Sequence, residues 1–227
     1  MKMWIIYAMP SRNCGKILKR NDVCSCQLLW GGVLYRRYIK RIMDLALAIS
    51  LLPFLVLLTL ILSPLIFLED GAPPFYVSER LGKDGKVFKM YKFRTMKPNS
   101  PDIRNRDGST YNSKNDPRLT RIGAFLRRNS LDELPQIINV LKNEMSFIGP
   151  RPDLPEHIRK YSKKEMKKLS VLPGITGYNQ AYFRNSVRFK KRLKNDIYYV
   201  KHISFWMDLK IFIKTIETVV KKRGVYG

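Results

Sequence analysis

LALAISLLPFLVLLTLILSPLIFL, residues 45–68, contains no charged side chain. About twenty apolar residues suffice to cross the hydrocarbon core of a bilayer as a helix, so this stretch decides the class of fold. Two features argue against a simple crossing. Pro53 lies inside the run, where proline removes a backbone donor and kinks or breaks a helix. Both flanks are also basic: Arg36, Arg37, Lys40 and Arg41 precede the run, and Arg80, Lys83, Lys86, Lys89, Lys92, Arg94 and Lys97 follow it. Positive charge marks the cytoplasmic side of a membrane segment. Two basic flanks therefore suit a re-entrant hairpin that enters and leaves on that side, with Lys40 and Arg41 at the headgroups and the break at Pro53, better than a simple span, which stays open as the alternative.

The wider composition agrees. The chain has 227 residues and carries 43 Lys and Arg against 18 Asp and Glu, a formal net charge of +25. Such an excess implies an anionic partner: nucleic acid, anionic lipid or a phosphorylated substrate. No zinc-finger spacing or aromatic RNA-binding signature accompanies it. Cys14, Cys24 and Cys26, the three cysteines, all precede the basic cluster, which excludes a disulfide scaffold for the rest. Residues 1–34 are weakly patterned and read as an extension with no assigned function. Residues 35–227 read as one domain, with 45–68 in the membrane and 69–227 as the part that carries the chemistry.

Beyond the apolar run, Phe75–Arg80 and Lys86–Met90 alternate like strands around Gly82-Lys83-Asp84-Gly85, which predicts a β-hairpin. Residues 97–115 are polar and read as a flexible loop. Asp116-Pro117 has the form of a helix start, a capping residue followed by proline. Residues 154–161 and 163–169 read as short helices, the second opened by a Ser162–Glu165 capping box. Phe189–His202 is a basic helix. Ile203–Arg223 continues as an amphipathic one, with Phe205, Leu209, Phe212, Ile213, Ile216 and Val220 opposite lysines. Such a helix suits either a membrane interface or the domain core. The expected class is α+β, mainly helical and membrane-associated.

The chemistry centres on RNSLDELPQIINVLKNEMSFIGPRP, residues 128–152. Ser130 and Glu133 match a capping box, and Leu134, Ile137, Ile138 and Leu141 recur at helical spacing. Asp132 and Glu133 would then stand in a first helical turn, where exposed N–H groups favour ionised carboxylates and can also bind phosphate. Acidic residues are common there simply as caps. Here, however, Arg127 and Arg128 precede the pair and Gly149-Pro150-Arg151-Pro152 follows the helix. The two prolines stiffen that corner and hold Arg151 as bidentate phosphate binding requires.

SLDELPQ, MSFIGPRP, Lys92-Phe93-Arg94-Thr95-Met96, Pro173-Gly174-Ile175-Thr176-Gly177 and Arg184-Asn185 occur in the order of the bacterial sugar transferase family, the monotopic polyprenyl-phosphate phosphoglycosyl transferases, which the chain resembles from about Tyr35 onward. The resemblance implies transfer of a sugar phosphate from a UDP-sugar to undecaprenyl phosphate, with release of UMP. It opens the synthesis of a surface polysaccharide or another glycoconjugate at the cytoplasmic face of the inner membrane. It also implies Asp132 as the nucleophile that forms an aspartyl–phosphosugar, Mg²⁺ held by Asp132 or Glu133, and Arg127, Arg151 and Arg184 as phosphate clamps. Glu133 either binds the metal or positions the acceptor. Implied partners are the two substrates and membrane lipids, without nucleic acid; a homodimer is left open. The family's hairpin break is an adjacent Ser-Pro; here Ser50 and Pro53 are three apart, while Ser63-Pro64 lies late in the run. The competing reading, a basic membrane-anchored scaffold or nucleic-acid-binding protein, explains the charge but not the series of motifs.

Overall fold

The computed structural model describes residues 32–103, 111, 113, 116–183 and 187–221. A single π-helical turn, Tyr35–Ile39, leads into helix α1, Lys40–Asp70. At 1.5 Å per residue α1 is about 45 Å long. It ends at Gly71, whose left-handed backbone (φ 68°) lets its N–H bond back to Phe67.

The expected break at Pro53 does not occur: α1 runs unbroken through both Pro53 and Pro64. Each proline forfeits one backbone hydrogen bond, and the apolar residues around it have no better conformation than helix. One turn before Pro53, Ser50 donates its hydroxyl to the Ala46 carbonyl (2.8 Å), a contact that satisfies the side chain inside the helix. A narrow stripe of α1, Ala48, Leu55, Leu62 and Ile66, is buried in the main core with Phe88, Met90, Phe93, Leu126, Ile137, Val140 and Met145. The rest of its circumference is bare: Leu60, Leu68 and Ile42 are 68%, 80% and 66% exposed. By length and composition α1 is the one helix among the described residues able to cross a membrane.

Strands β1 (Phe75–Leu81) and β2 (Val87–Phe93) form the expected antiparallel hairpin, with Phe75 opposite Phe93 and Leu81 opposite Val87. Helix α2 is Arg121–Arg128. Its cap is Thr120, not Asp116, because the Asp116 carboxylate is taken by the Arg118 guanidinium at 2.7 and 2.9 Å. A 3₁₀ turn at Leu131–Glu133 precedes helix α3, Gln136–Leu141. Strand β3 (Ser146–Ile148) then pairs in parallel with β4 (Gly174–Thr176). Two 3₁₀ segments, Pro155–Lys160 and Glu165–Ser170, lie between them, and the Ser162–Glu165 capping box forms as expected.

Helices α4 (Tyr178–Tyr182), α5 (Phe189–Lys201) and α6 (Phe205–Val220) complete the chain. They share a second core of Tyr35, Ile148, Ala181, Tyr199, Val200, Ile203 and Ile211. Ser204 caps α6 and separates it from α5. The protein is thus mainly helical, with a long apolar N-terminal helix and a small β-hairpin.

Candidate active site

The Ser130–Glu133 capping box does not form. Ser130 sits in the left-handed region (φ 57°), and its N–H is already bonded to Arg127 O at the end of α2. Glu133 therefore has no free amide to turn back to. Lys92 of β2 draws its carboxylate outward instead, with Nζ 2.6 Å from Glu133 Oε1. The Arg151 guanidinium reaches the same oxygen at 3.6 Å. Burial works against the Glu133 charge, but these two cations outweigh it and bring its pKa down to about 2.

Asp132 differs. It is buried, 8% exposed, and no hydrogen bond reaches its carboxylate among the described residues. Burial raises its pKa; Lys92 opposes that, the Glu133 charge adds to it, and Arg127 and Arg151 oppose it again. Its pKa thus moves the opposite way from that of a solvated cap at a helix start. The chain holds a desolvated, unengaged carboxylate next to a clamped one.

Four segments of the chain converge to make this arrangement. Arg127 closes α2 with Nε 3.1 Å from Thr95 Oγ1, the threonine of Lys92-Phe93-Arg94-Thr95-Met96. Arg151 stands on the Gly149–Pro152 corner after β3. That corner depends on close backbone approach to β4: a Cβ on Gly174 would lie 2.1 Å from Gly149 N. The Pro173–Gly177 loop lays its backbone on the same corner, with Gly174 N–H donating to Pro150 O at 2.9 Å. Arg80, Met90, Glu133, Gln136, Arg151, Pro152, Gly174 and Ile175 line a small cleft beside the acidic pair.

Other expectations divide. Lys40 and Arg41, expected at lipid headgroups, also have partners within the protein. Lys40 Nζ pairs with Asp208 at 2.6 Å, and Arg41 donates to the Val140 and Leu141 carbonyls at the C-terminus of α3, where the helix dipole favours a cation. Ser50 and Pro53 lie on the exposed side of α1. Arg184 lies outside the described residues. Lys92 was seen only as part of a basic motif; its pairing with Glu133 depends on how β2 docks, which the sequence does not display. The docking residue is Asn139, fully buried, whose Nδ2 donates to Lys89 O (2.7 Å) and whose Oδ1 accepts from Tyr91 N–H (3.1 Å). The apolar spacing of Leu134, Ile137, Ile138 and Leu141 does not include position 139, so the sequence carried no signal for it.

A family model described as bacterial sugar transferase matches residues 35–222. The chain belongs to the bacterial sugar transferase family. Relatives agree over most of its length. It is 41% identical over 205 residues to a UDP-galactose-lipid carrier transferase of Erwinia amylovora, covering 84% of this chain and 42% of that protein. It is 38% identical over 207 residues to an undecaprenyl-phosphate galactose phosphotransferase of Salmonella typhimurium, again 84% and 42%. An uncharacterized sugar transferase, EpsL, of Bacillus subtilis is 38% identical over 187 residues, covering 82% of this chain and 90% of that protein. The chain therefore spans under half the length of the first two relatives and nearly all of the third. In this chain the motifs SLDELPQ, GPRP and Lys92–Met96 meet at one point, the Asp132–Glu133 pair.

Proposed function

We propose that this protein transfers a sugar phosphate from a UDP-sugar to undecaprenyl phosphate, releasing UMP, as the opening step of a surface polysaccharide or related glycoconjugate. The observation that carries the reading is Asp132: a buried carboxylate with no hydrogen bond among the described residues, beside Lys92, Arg127 and Arg151. A carboxylate that serves only structure is normally hydrogen-bonded when buried.

In the first step an Asp132 oxygen attacks the β-phosphorus of the donor. The Oδ–P bond forms, the bridging P–O bond breaks, and its electron pair leaves with UMP. In the second step an oxygen of the lipid phosphate attacks the aspartyl phosphorus, the Oδ–P bond breaks, and Asp132 returns as a carboxylate. No general base is needed, because both nucleophiles are already anions. Desolvation that raises the carboxylate's basicity also raises its nucleophilicity. Arg127 and Arg151 hold the phosphates, and Arg184 is assigned the same task. Lys92 and Arg151 keep Glu133 anionic and fixed.

The donor set fits Mg²⁺. Asp132 offers two unengaged oxygens, and both contacts to Glu133 fall on Oε1, which leaves Oε2. Mg²⁺ is held by one or two carboxylates together with waters and substrate phosphates. No cluster of three or more acidic, His or Cys side chains exists among the described residues, as an all-protein cage would need. When bound, the ion would neutralise charge on the donor diphosphate.

We read the protein as seated on one side of the membrane: the way α1 is held supports the one-sided seat, and the basic flanks of the apolar run support the cytoplasmic face. The first turns of α1 bind the folded part through Lys40, Arg41 and Asp44, whose Oδ1 accepts the Phe147 N–H at 3.0 Å. Its last turn binds the same body through Glu69. Both ends thus belong on one side, and the bare apolar flank between them enters the lipid. On α6, Trp206, Ile213 and Ile216 are exposed while Ile211 and Asp208 face inward, so that helix lays its apolar stripe on the same interface.

The test uses purified protein in detergent with Mg²⁺ and a panel of UDP-sugars, without lipid acceptor. The expected result is UMP release near one equivalent per enzyme with sugar phosphate retained on the protein, lost in Asp132→Asn. Turnover that appears only with undecaprenyl phosphate and survives Asp132→Asn would keep the overall reaction and remove Asp132 as nucleophile.

A further inference from the structure

Helix α1 ends in Glu69 and Asp70, with no basic residue in its last turn. Carboxylates there oppose the helix dipole, so α1 gains nothing from them. Asp70 is used locally: its Oδ1 accepts the Ala72 N–H at 3.0 Å. Glu69 reaches a different element. Its Oε1 accepts the Arg121 N–H at 2.5 Å and its Oε2 the Ile122 N–H at 3.1 Å. These are the first two amides of α2, and Thr120 Oγ1 takes the third, from Gly123, at 2.9 Å. One carboxylate spanning two unpaired amides at a helix start satisfies both and meets the positive end of the dipole.

Helix α2 has little freedom to respond other than as a body. A Cβ on Gly123 would lie 2.0 Å from Thr95 O, and Thr120 N–H donates to that same carbonyl at 3.2 Å. At the other end, only about 12 Å away for eight residues, Arg127 Nε is hydrogen-bonded to Thr95 Oγ1. The chain then turns at Ser130 and presents Asp132. The end of the apolar helix and the acidic pair are therefore joined by one short, rigid helix.

We propose that Glu69 is a positioning residue that ties the membrane helix to Arg127, and through Arg127 to the phosphate subsite; this rests on the function read above. It gives the conflict at the end of α1 a reason. The acid is misplaced for its own helix because it serves the next one.

The test measures UMP release, with kcat and donor KM separated, for Glu69→Ala and Glu69→Gln in the full chain, each also combined with Arg127→Ala. Glu69→Ala should lower kcat/KM about 10-fold. Glu69→Gln, whose carbonyl accepts but carries no charge, should recover part of that loss and keeps the test open if the alanine variant folds poorly. In the Arg127→Ala background, removing Glu69 should cost less than about twofold, because residues that act as a unit are not additive. A loss that persists in full in that background overturns the proposal. So does Thr120→Ala, which removes a cap from the same helix without cutting the link, if it loses as much activity as Glu69→Ala. A readout free of catalysis separates this idea from the reaction itself. Amide exchange over residues 121–128 should quicken about 10-fold in Glu69→Ala whether or not any UDP-sugar is turned over, and unchanged exchange refutes the link.

Discussion

Lys168 offers the sharpest test of the physical reasoning behind this fold. It is 4% exposed and lies between two carboxylates, with Nζ 2.5 Å from Asp153 Oδ2 and 2.9 Å from Asp196 Oδ2. Asp153 follows the Gly149–Pro152 corner directly, and Tyr161 donates its hydroxyl to the same Asp153 oxygen. Asn179 donates to Asp196 Oδ1 at 2.5 Å. Burial would raise Asp153, but Lys168 and Tyr161 outweigh it, with the charge of His157 adding to them, and hold it below the usual carboxylate range. At Asp196 burial wins over Lys168 and the pKa is raised. Lys168→Met keeps the volume and removes the cation. Two buried carboxylates then face each other uncompensated, and breaking a buried pair in this way costs about 3–5 kcal/mol. For a chain of this size that is roughly 6–20 °C in melting midpoint.

The pH dependence fixes the cause. In the native protein Asp153 has a depressed pKa, so its contribution is present above its unfolded value and is lost as pH falls through the folded one. In the variant both carboxylates lack their cation and titrate higher than when unfolded. The variant therefore regains stability as pH falls from 7 and each takes up a proton. Melting followed by far-ultraviolet circular dichroism in one detergent between pH 4.5 and 8 should show a gap that is widest near neutrality and narrows on acidification. Adding Asp153→Asn and Asp196→Asn to the variant should close most of the gap at pH 7. A gap under about 1 kcal/mol at pH 7, or one that does not change with pH, would show that the triad is not an ion network whose charge balance matters, and the reasoning would fail.

Two further predictions concern the site and its support. Lys92→Met removes the closest cation from Glu133, so donor KM should rise about 10-fold or more while the melting midpoint moves by only a few degrees; an unchanged KM would show that Glu133 needs no clamp. Gly174→Ala would drive a methyl into the Gly149 amide, and a loss of at least about 3 kcal/mol or failure to fold is expected, measured by melting; a near-native midpoint would mean that β3 and β4 can separate without harm.

The parts legible in the sequence were those set by local pattern. The apolar run gave a helix, the alternation at residues 75–80 and 86–90 gave the hairpin, and Ser162–Glu165 gave a real capping box. Local pattern failed where a distant group competed for the same atoms. The Ser130–Glu133 box was lost because Arg127 O already held the Ser130 amide and Lys92, about forty residues upstream, took the carboxylate. Asp116 was no cap because Arg118 claimed it. Lys40 and Arg41 pair with Asp208 and the end of α3, partners that no local pattern announces. Each of these outcomes depends on which elements meet, and that information lies in the packing of α1 and α3, not in any window of the chain.

A chain with a formal charge of +25 that only needed to grip a diphosphate and a lipid phosphate would do better without carboxylates at the point of contact. At about 4 Å and an effective dielectric near 20, each like-charge contact with a phosphate costs about 4 kcal/mol before screening. Glu133 is largely neutralised by Lys92 and Arg151, so its repulsion is muted. Among the described residues nothing donates a hydrogen bond to Asp132, so Lys92, Arg127 and Arg151 offset its charge less closely, and it is buried besides, the arrangement that binding alone would select against. Its presence is accounted for if the negative charge is consumed during the reaction, by forming a bond to phosphorus, or is shared with a divalent ion that arrives with the donor. The two accounts separate on one variant. Asp132→Asn keeps the shape and removes the repulsion, so it should bind the UDP-sugar at least as tightly as the native protein in the absence of divalent ions while forming no covalent adduct. Weaker binding by Asp132→Asn without metal would mean that Asp132 holds the substrate through contacts of its own, and the case for a nucleophile would lose its physical basis.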